Sequence, residues 1–293
     1  MRISVYLPLL LSAALAGHAP LTAKRMHPAA AARALTVSAC LAALASTWGL
    51  ALLALSLLGR TPFARERIGA LDPVPTPVAL LALALLAGVV GRAGRAARTR
   101  RQAEQALRAV CELCGAHSEL AVLDDPAPHA YAVPGRPGRI LVSSGLLRTT
   151  SPTERRIVIA HERAHLRHAH HRLRALTELA AGLNPLLVPS RAAVAYLVER
   201  WADEAAAEEI GSRHATGQAL ARVALQTATW APGAALAFHR HAVPQRVRAL
   251  QAAPTPTRPP LAAAGLVIAA LTLTCAADAT LAFSRLACVV LGI

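Results

Sequence analysis

Two histidines and one glutamate lie close enough in the sequence to bind a metal ion and activate water. His161, Glu162 and His165 form the pattern H-E-x-x-H. On a helix, residues four apart lie one turn apart on the same face, so both imidazoles can bind one ion. Glu162 follows the first histidine directly and can act as a general base on a water polarised by that ion. The stretch therefore predicts a Zn²⁺ site with its own base.

The residues before the motif predict the helix that it needs. Ser151-Pro152-Thr153-Glu154 has the form of a capping box with proline at the first helical position. An apolar run, Ile157 to Ala160, then buries the turn that precedes the histidines. No residue that ordinarily ends a helix occurs before Gly182, so we expect one helix from Ser151 to Ala181.

A third ligand within the same segment is one alternative. His171 lies ten residues after His161, where the pattern H-E-x-x-H-x-x-G-x-x-H places its third histidine. That pattern needs a glycine at position 168 to turn the chain back, and this chain has His168 there. On an unbroken helix His171 points away from the metal face. We therefore expect His168, His170 and His171 to form a solvated polar face among arginines.

A second helix, predicted over Ser190–Ile210, offers a better third ligand. Glu199 and Asp203 lie one turn apart on one of its faces. A carboxylate from another helix completes a His/His/Glu site and leaves one position open for water. Asp203 can hydrogen-bond the outer nitrogen of a ligand histidine and fix its tautomer. The alternative is that these residues belong to an acidic, solvated helix face.

The two motifs together resemble a known family. H-E-R-A-H followed by E-R-W-A-D is similar to the membrane zinc metallopeptidases of the gluzincin type, and most similar to the peptidase part of bacterial β-lactam sensor-transducer (antirepressor) proteins. The segment 139–147 and Asn184-Pro185-Leu186 fit the same resemblance, which covers about residues 130–250. It implies a zinc ligand set and a base: His161, His165 and Glu199 as ligands, Glu162 as base, and Asp203 as the partner of a ligand.

A late segment of the chain extends this resemblance. In the family, a histidine or arginine in this region steadies the oxyanion that forms during peptide hydrolysis. The segment His239–Leu250 offers His241 and Arg246 as the candidate donors. The alternative is that both lie on a surface helix.

Composition indicates a membrane protein. The chain is 55% hydrophobic and has a mean hydropathy of +0.42, which indicates membrane spans around a modest polar domain. Its net charge is +15, but the arginines are scattered and aromatic residues make up only 3%. We therefore expect no direct nucleic acid binding and attribute the arginines to membrane orientation and anionic lipid.

The hydrophobic segments predict three parts. Residues 1–91 form an N-terminal membrane region with spans at about 3–19, 34–58 and 75–91. Residues 92–258 form a peptidase domain, which opens with an amphipathic helix over Thr99–Cys114. Residues 259–293 form a C-terminal span and tail. Arginines follow the third span at once, so this side should be cytoplasmic. The N-terminus is then outside a bacterial inner membrane, and the first segment stays as a span rather than being cleaved as a signal peptide.

The fold class that we expect is mainly α, with an α-helical zincin domain that carries a small β-sheet. Three short runs, 120–123, 130–133 and 139–142, are separated by Asp-Pro and Pro-Gly turns. In the related peptidases an edge strand of such a sheet holds an extended substrate by main-chain pairing. Cys111 and Cys114 form a lone C-x-x-C, for which helix packing and a redox or metal role are the alternatives.

These features predict an integral membrane zinc-dependent endopeptidase. We expect it to act in regulatory proteolysis or membrane quality control, on a protein or peptide substrate such as a cytoplasmic repressor, with the lipid bilayer as its other partner. The alternative is a non-catalytic membrane signalling or scaffold protein that keeps the zincin fold.

Overall fold

The chain is mainly helical with one small sheet. The computed structural model describes residues 3–60, 74–113, 119–228 and 235–291. Short 3₁₀ segments cover Ile3–Val5, Ser56–Arg60 and Pro185–Leu187. The helices are α1 (Leu7–Arg25), α2 (Pro28–Leu55), α3 (Thr76–Leu113), α4 (Ser144–Thr149), α5 (Pro152–Arg167), α6 (His170–Leu183), α7 (Val188–Ile210), α8 (Arg213–Ala228), α9 (Ala235–Gln251) and α10 (Pro259–Leu291), and the strands are β1 (Leu120–Leu123), β2 (Ala130–Val133) and β3 (Arg139–Ser143).

Three long segments of the described chain are apolar enough to cross a membrane. They are Pro28–Leu58, Thr76–Ala109 and Pro259–Arg285, which include most of α2, α3 and α10. The predicted span over 3–19 falls largely within α1, which is not among these three and packs against α2, α7 and α10. The third span and the amphipathic helix predicted after it form one continuous helix, α3, because no residue between them interrupts the helix.

The sheet lies against the helix that carries H-E-x-x-H. Its strand order is β1-β3-β2, with β1 parallel and β2 antiparallel to the central strand. The three strands confirm the short runs predicted from the sequence, with β3 one residue longer. Ile140 and Val142 of β3 form a core with Leu146, against which Val158 and Ile159 of α5 pack. The sheet therefore holds α5 at a fixed distance from β2.

The predicted helix from Ser151 to Ala181 is broken in two, so that prediction is wrong. The capping box forms as expected: the Ser151 hydroxyl accepts from the Glu154 N–H, and the Glu154 carboxylate accepts from the Ser151 N–H. The helix nevertheless ends at Arg167, and Ala169 takes a left-handed conformation with φ of 50°. This conformation costs an alanine about 1–2 kcal/mol. The break could not be read from the sequence because alanine is the best helix former.

A buried asparagine ties the peptidase helices to the membrane helices. Asn184 lies between α6 and α7, and its amide nitrogen donates to the hydroxyls of Ser12 in α1 and Ser46 in α2, at 2.9 and 3.0 Å. Its side-chain oxygen accepts from the Leu186 N–H at 3.1 Å. These three bonds satisfy its polar atoms away from water. The start of α7 is thereby fixed against α1 and α2.

Candidate metal centre

Three side chains from two helices converge on one point. Nε2 of His161 and Nε2 of His165, both from α5, lie 3.1 Å apart. Glu199 of α7 brings its carboxylate oxygens to 3.5 Å from the first nitrogen and 3.8 Å from the second. Within the described chain this is the one group of three such donors with metal-ligand spacing.

The spacing and the donor types fit zinc. A tetrahedral site with bonds of about 2.0–2.1 Å places its ligand atoms about 3.3 Å apart, close to the separations of this group. Two imidazole nitrogens and one carboxylate are a common donor set of catalytic zinc sites. The residues therefore suit Zn²⁺ without rearrangement of either helix.

The outer nitrogen of His161 faces a buried ion pair. Nδ1 lies 3.0 Å from Asp203 Oδ1. Arg246 of α9 donates to both oxygens of Asp203, at 2.7 and 2.6 Å, and its third nitrogen lies 3.3 Å from Glu199. Asp203 is only 3% exposed. Arg246 is therefore the counter-ion of two buried carboxylates.

This ion pair sets the protonation of the groups around it. Burial alone would raise the pKa of Asp203, but Arg246 and His161 hold it below its usual value. Burial is likewise overcome at Glu199, whose pKa is lowered well below its usual value by His161 and Arg246. At His161 burial opposes the charged form, yet hydrogen bonds to Asp203 and Glu199 raise its pKa to about 10. The site thus concentrates negative potential at Nε2 of His161, where a cation is favoured.

The outer nitrogen of His165 faces a different partner. Nδ1 lies 2.8 Å from Nδ1 of His170, the first residue of α6, whose side chain is 1% exposed. Burial lowers the pKa of His165 to about 4 and that of His170 to about 3, so both rings are neutral. When His165 binds a metal through Nε2, its Nδ1 carries the proton and donates a hydrogen bond to Nδ1 of His170.

The prediction of a solvated histidine face is wrong. His170 is buried against His165, and the ring of His168 stacks on Trp201 with centroids 4.6 Å apart. His171 is half-buried and lies outside the donor group, although the unbroken helix on which its rejection as a ligand rested does not form. Sequence reasoning missed His170 because the break at Ala169 turns it back to the site. The spacing H-x-x-x-x-H between His165 and His170 was the available signal.

Glu162 stands where a substrate could reach it. The Ala132 N–H of β2 lies close enough to its carboxylate to act on its pKa, and Glu162 and His161 line a cavity of about 250 Å³. Burial, reinforced by Glu199, raises the pKa of Glu162 to about 7, while His161 and the Ala132 N–H oppose the rise. A carboxylate with a pKa near neutrality suits a general base. The cavity walls are mainly apolar, with contributions from Leu146, Ile157, Val158, Leu220 and Val223.

Some predicted residues cannot be placed at the site. His241 lies in α9, but its side chain lies outside the described residues. Cys111 lies in α3 and its side chain is likewise not described, while Cys114 falls outside the described ranges. Arg246 is at the site, bound to Asp203 and Glu199, and its role as an oxyanion donor stays a prediction.

The site has the donor set of a metal-dependent hydrolase, and comparison with a known family agrees. Residues 95–254 match the model of peptidase family M48. The chain belongs to this family, whose members are metalloproteases that usually depend on zinc. Neither the curated proteins nor the solved structures contain a significant match. The narrower resemblance to the β-lactam sensor-transducers is not confirmed.

Proposed function

We propose that this chain is an integral membrane zinc-dependent endopeptidase. The observation that carries the proposal is the convergence of His161, His165 and Glu199 beside Glu162, at the edge of β2. These three side chains would hold Zn²⁺. Bound zinc would supply Lewis acid chemistry, which makes a water more acidic and polarises the peptide carbonyl.

The residues of the chain supply the other parts of the reaction. Glu162 accepts the proton of the attacking water and delivers it to the leaving amine. The free edge of β2 holds the substrate backbone beside the base, because Ala132 of this strand lies next to Glu162. Asp203 holds His161 in the tautomer that exposes Nε2. His241 is the candidate donor to the oxyanion, with Arg246 as the second candidate.

We place the protein in a bacterial inner membrane as a multi-pass protein, with the N-terminus outside and the peptidase domain in the cytoplasm. Three described segments long and apolar enough to span support the membrane part. Arginines that directly follow the apolar part of α3 support this orientation, because positive residues favour the cytoplasmic side. The substrate would be a protein or peptide, such as a cytoplasmic repressor, in signalling or quality control. No direct contact with nucleic acid is expected.

The test compares wild type with Glu162→Gln. Both are expressed in a bacterial host that lacks the chain, and new protein N-termini are compared across the two proteomes. We expect both proteins to purify with about one zinc per chain and only wild type to generate new termini. Identical termini from two folded, zinc-loaded proteins would contradict the proposal and favour the signalling scaffold. Glu199→Ala should lose zinc, and full retention would contradict its assignment as a ligand.

A further inference from the structure

A second, basic groove lies one helical turn beyond Glu162. Leu166 is four residues after Glu162 on α5, so the two side chains share a face about 5–6 Å apart. Leu166 borders a groove of about 700 Å³ between the end of α5 and the turn that joins β2 to β3. A Cβ added to Gly138 of this turn would lie 3.1 Å from Leu166, so the turn packs closely on the helix. The position of the groove relative to Glu162 is thereby fixed.

Among the described residues that line the groove, every permanently charged side chain is positive. These residues include four arginines and one histidine: Arg108, Arg136, Arg139, Arg172 and His171. In the described part of the chain, none of Arg108, Arg136 and Arg172 pairs with a carboxylate. Burial lowers the pKa of His171, and Arg172 and Arg108 lower it further, with Glu104 opposing them. An anionic group in the groove would therefore meet a strong positive potential.

Strand β2 connects this groove to the cavity beside Glu162. Ala130 lines the apolar cavity, Ala132 lies beside Glu162, and Val133 lines the basic groove. In the described chain no strand pairs with the outer edge of β2, since its partner β3 lies on the inner side. A segment paired along this edge passes from one region to the other within about four residues, at about 3.3 Å per residue.

We infer that the basic groove binds acidic residues of the substrate, two to four positions before the scissile bond. The inference rests on the proposed peptidase function and adds a substrate class to it. Antiparallel pairing is the more frequent and slightly more stable arrangement, and β2 runs from the cavity to the groove. An antiparallel substrate therefore enters with its N-terminal side in the groove. Its C-terminal side extends from the scissile bond into the apolar cavity.

The test uses the zinc-loaded full-length chain in detergent and a synthetic library of 14-residue peptides. Mass spectrometry locates each cleavage, with Glu162→Gln as the blank. We expect Asp and Glu to be enriched at the second to fourth residues before the cut. For the best peptide and its Asn/Gln counterpart, kcat/KM should favour the acidic form by about tenfold at low salt. This ratio should fall as salt rises, because Arg108, Arg136 and Arg172 are exposed and their interactions are screened.

Arginine variants then locate the effect. Exposed ion pairs contribute modestly, so Arg136→Gln combined with Arg172→Gln should lower the ratio about fivefold. Arg156→Gln is the matched control, since Arg156 is an exposed arginine of α5 outside both cavities, and it should keep the ratio.

Three outcomes would overturn the inference. They are a library preference without acidic residues before the cut, an acidic preference after the cut instead, or a ratio that the double variant leaves unchanged. The absence of any cleavage beyond the Glu162→Gln blank would instead overturn the peptidase function itself, and this inference with it.

Discussion

The two histidines of the metal centre share one helix but have opposite surroundings. His161 contacts the buried carboxylate of Asp203, which Arg246 neutralises, and its pKa is raised to about 10. His165 contacts the neutral ring of His170, and burial lowers its pKa to about 4. Asp203 therefore places a negative charge beside His161 and also orients its ring, whereas the neutral His170 only orients the ring of His165.

A metal-binding histidine can thus be oriented in two ways, by a carboxylate or by a second imidazole. A carboxylate partner makes the imidazole more basic and strengthens its bond to a metal, at the cost of a buried charge. An imidazole partner fixes the tautomer without adding charge to the core. The second arrangement leaves Nε2 of His170 buried without a hydrogen-bond partner, which costs about 1–3 kcal/mol. Tolerance of that cost at a fully buried position indicates that the Nδ1 contact has a function.

Loss of the buried arginine beside His161 should have the largest effect on stability. Arg246→Met leaves Asp203 and Glu199 buried without their counter-ion, and breaking a buried pair costs about 3–5 kcal/mol. Denaturant unfolding of the metal-free protein in detergent measures the loss. Adding Asp203→Asn should recover part of it, because one of the unpaired charges is then removed.

An exposed arginine provides the control for this prediction. Arg163 pairs with Glu119 and Glu209 at the surface, at 2.9 and 3.0 Å. Arg163→Met should cost less than about 1 kcal/mol, as exposed ion pairs do. Equal losses for Arg246→Met and Arg163→Met would show that the buried pair has no special weight.

The second effect is on metal affinity. Asp203→Asn keeps an oxygen near Nδ1 of His161 but removes the charge, so zinc affinity should fall by about 10- to 100-fold. Competition with a chelator of known affinity measures it. Glu208→Gln removes an exposed charge from the same helix and should leave the affinity unchanged. A similar fall in both variants would mean that net charge, rather than the His161 contact, governs binding.

The sequence indicated the helical pairs of the site but neither the role of Arg246 as counter-ion nor the contact made by His170, for a physical reason. Helix spacing places His161 beside His165 and Glu199 beside Asp203, and the capping box fixes where α5 begins. The position of His170 depends instead on one alanine with positive φ, which no local preference of the sequence indicates. Local rules therefore predict ligands on regular helices better than partners delivered by a turn.

Substitutions of His170, the neutral partner of His165, should lower zinc affinity to a smaller extent, which depends on the residue introduced. His170→Leu fills the core but cannot accept from His165, so zinc affinity should fall about tenfold, near the lower limit for such contacts. His170→Asn places an acceptor near the position of Nδ1 and should recover most of the affinity. The absorption spectrum of the Co²⁺-substituted protein should shift with leucine and return with asparagine. A role in packing alone would give the reverse order, with leucine better tolerated than asparagine.

The turn at Ala169 explains why His170 reaches His165, and relief of its strain should have the smallest effect. Ala169→Gly relieves the left-handed strain of about 1–2 kcal/mol but increases the freedom of the unfolded chain by about 0.4–1 kcal/mol. Stability should therefore rise by no more than about 1.5 kcal/mol, with zinc affinity unchanged. Ala169→Val places a β-branched residue at positive φ, which the backbone resists. If this turn positions His170 beside His165, the valine variant should lose zinc affinity to the same extent as His170→Leu. Full affinity in the valine variant would show that the contact between His165 and His170 does not depend on the break between α5 and α6.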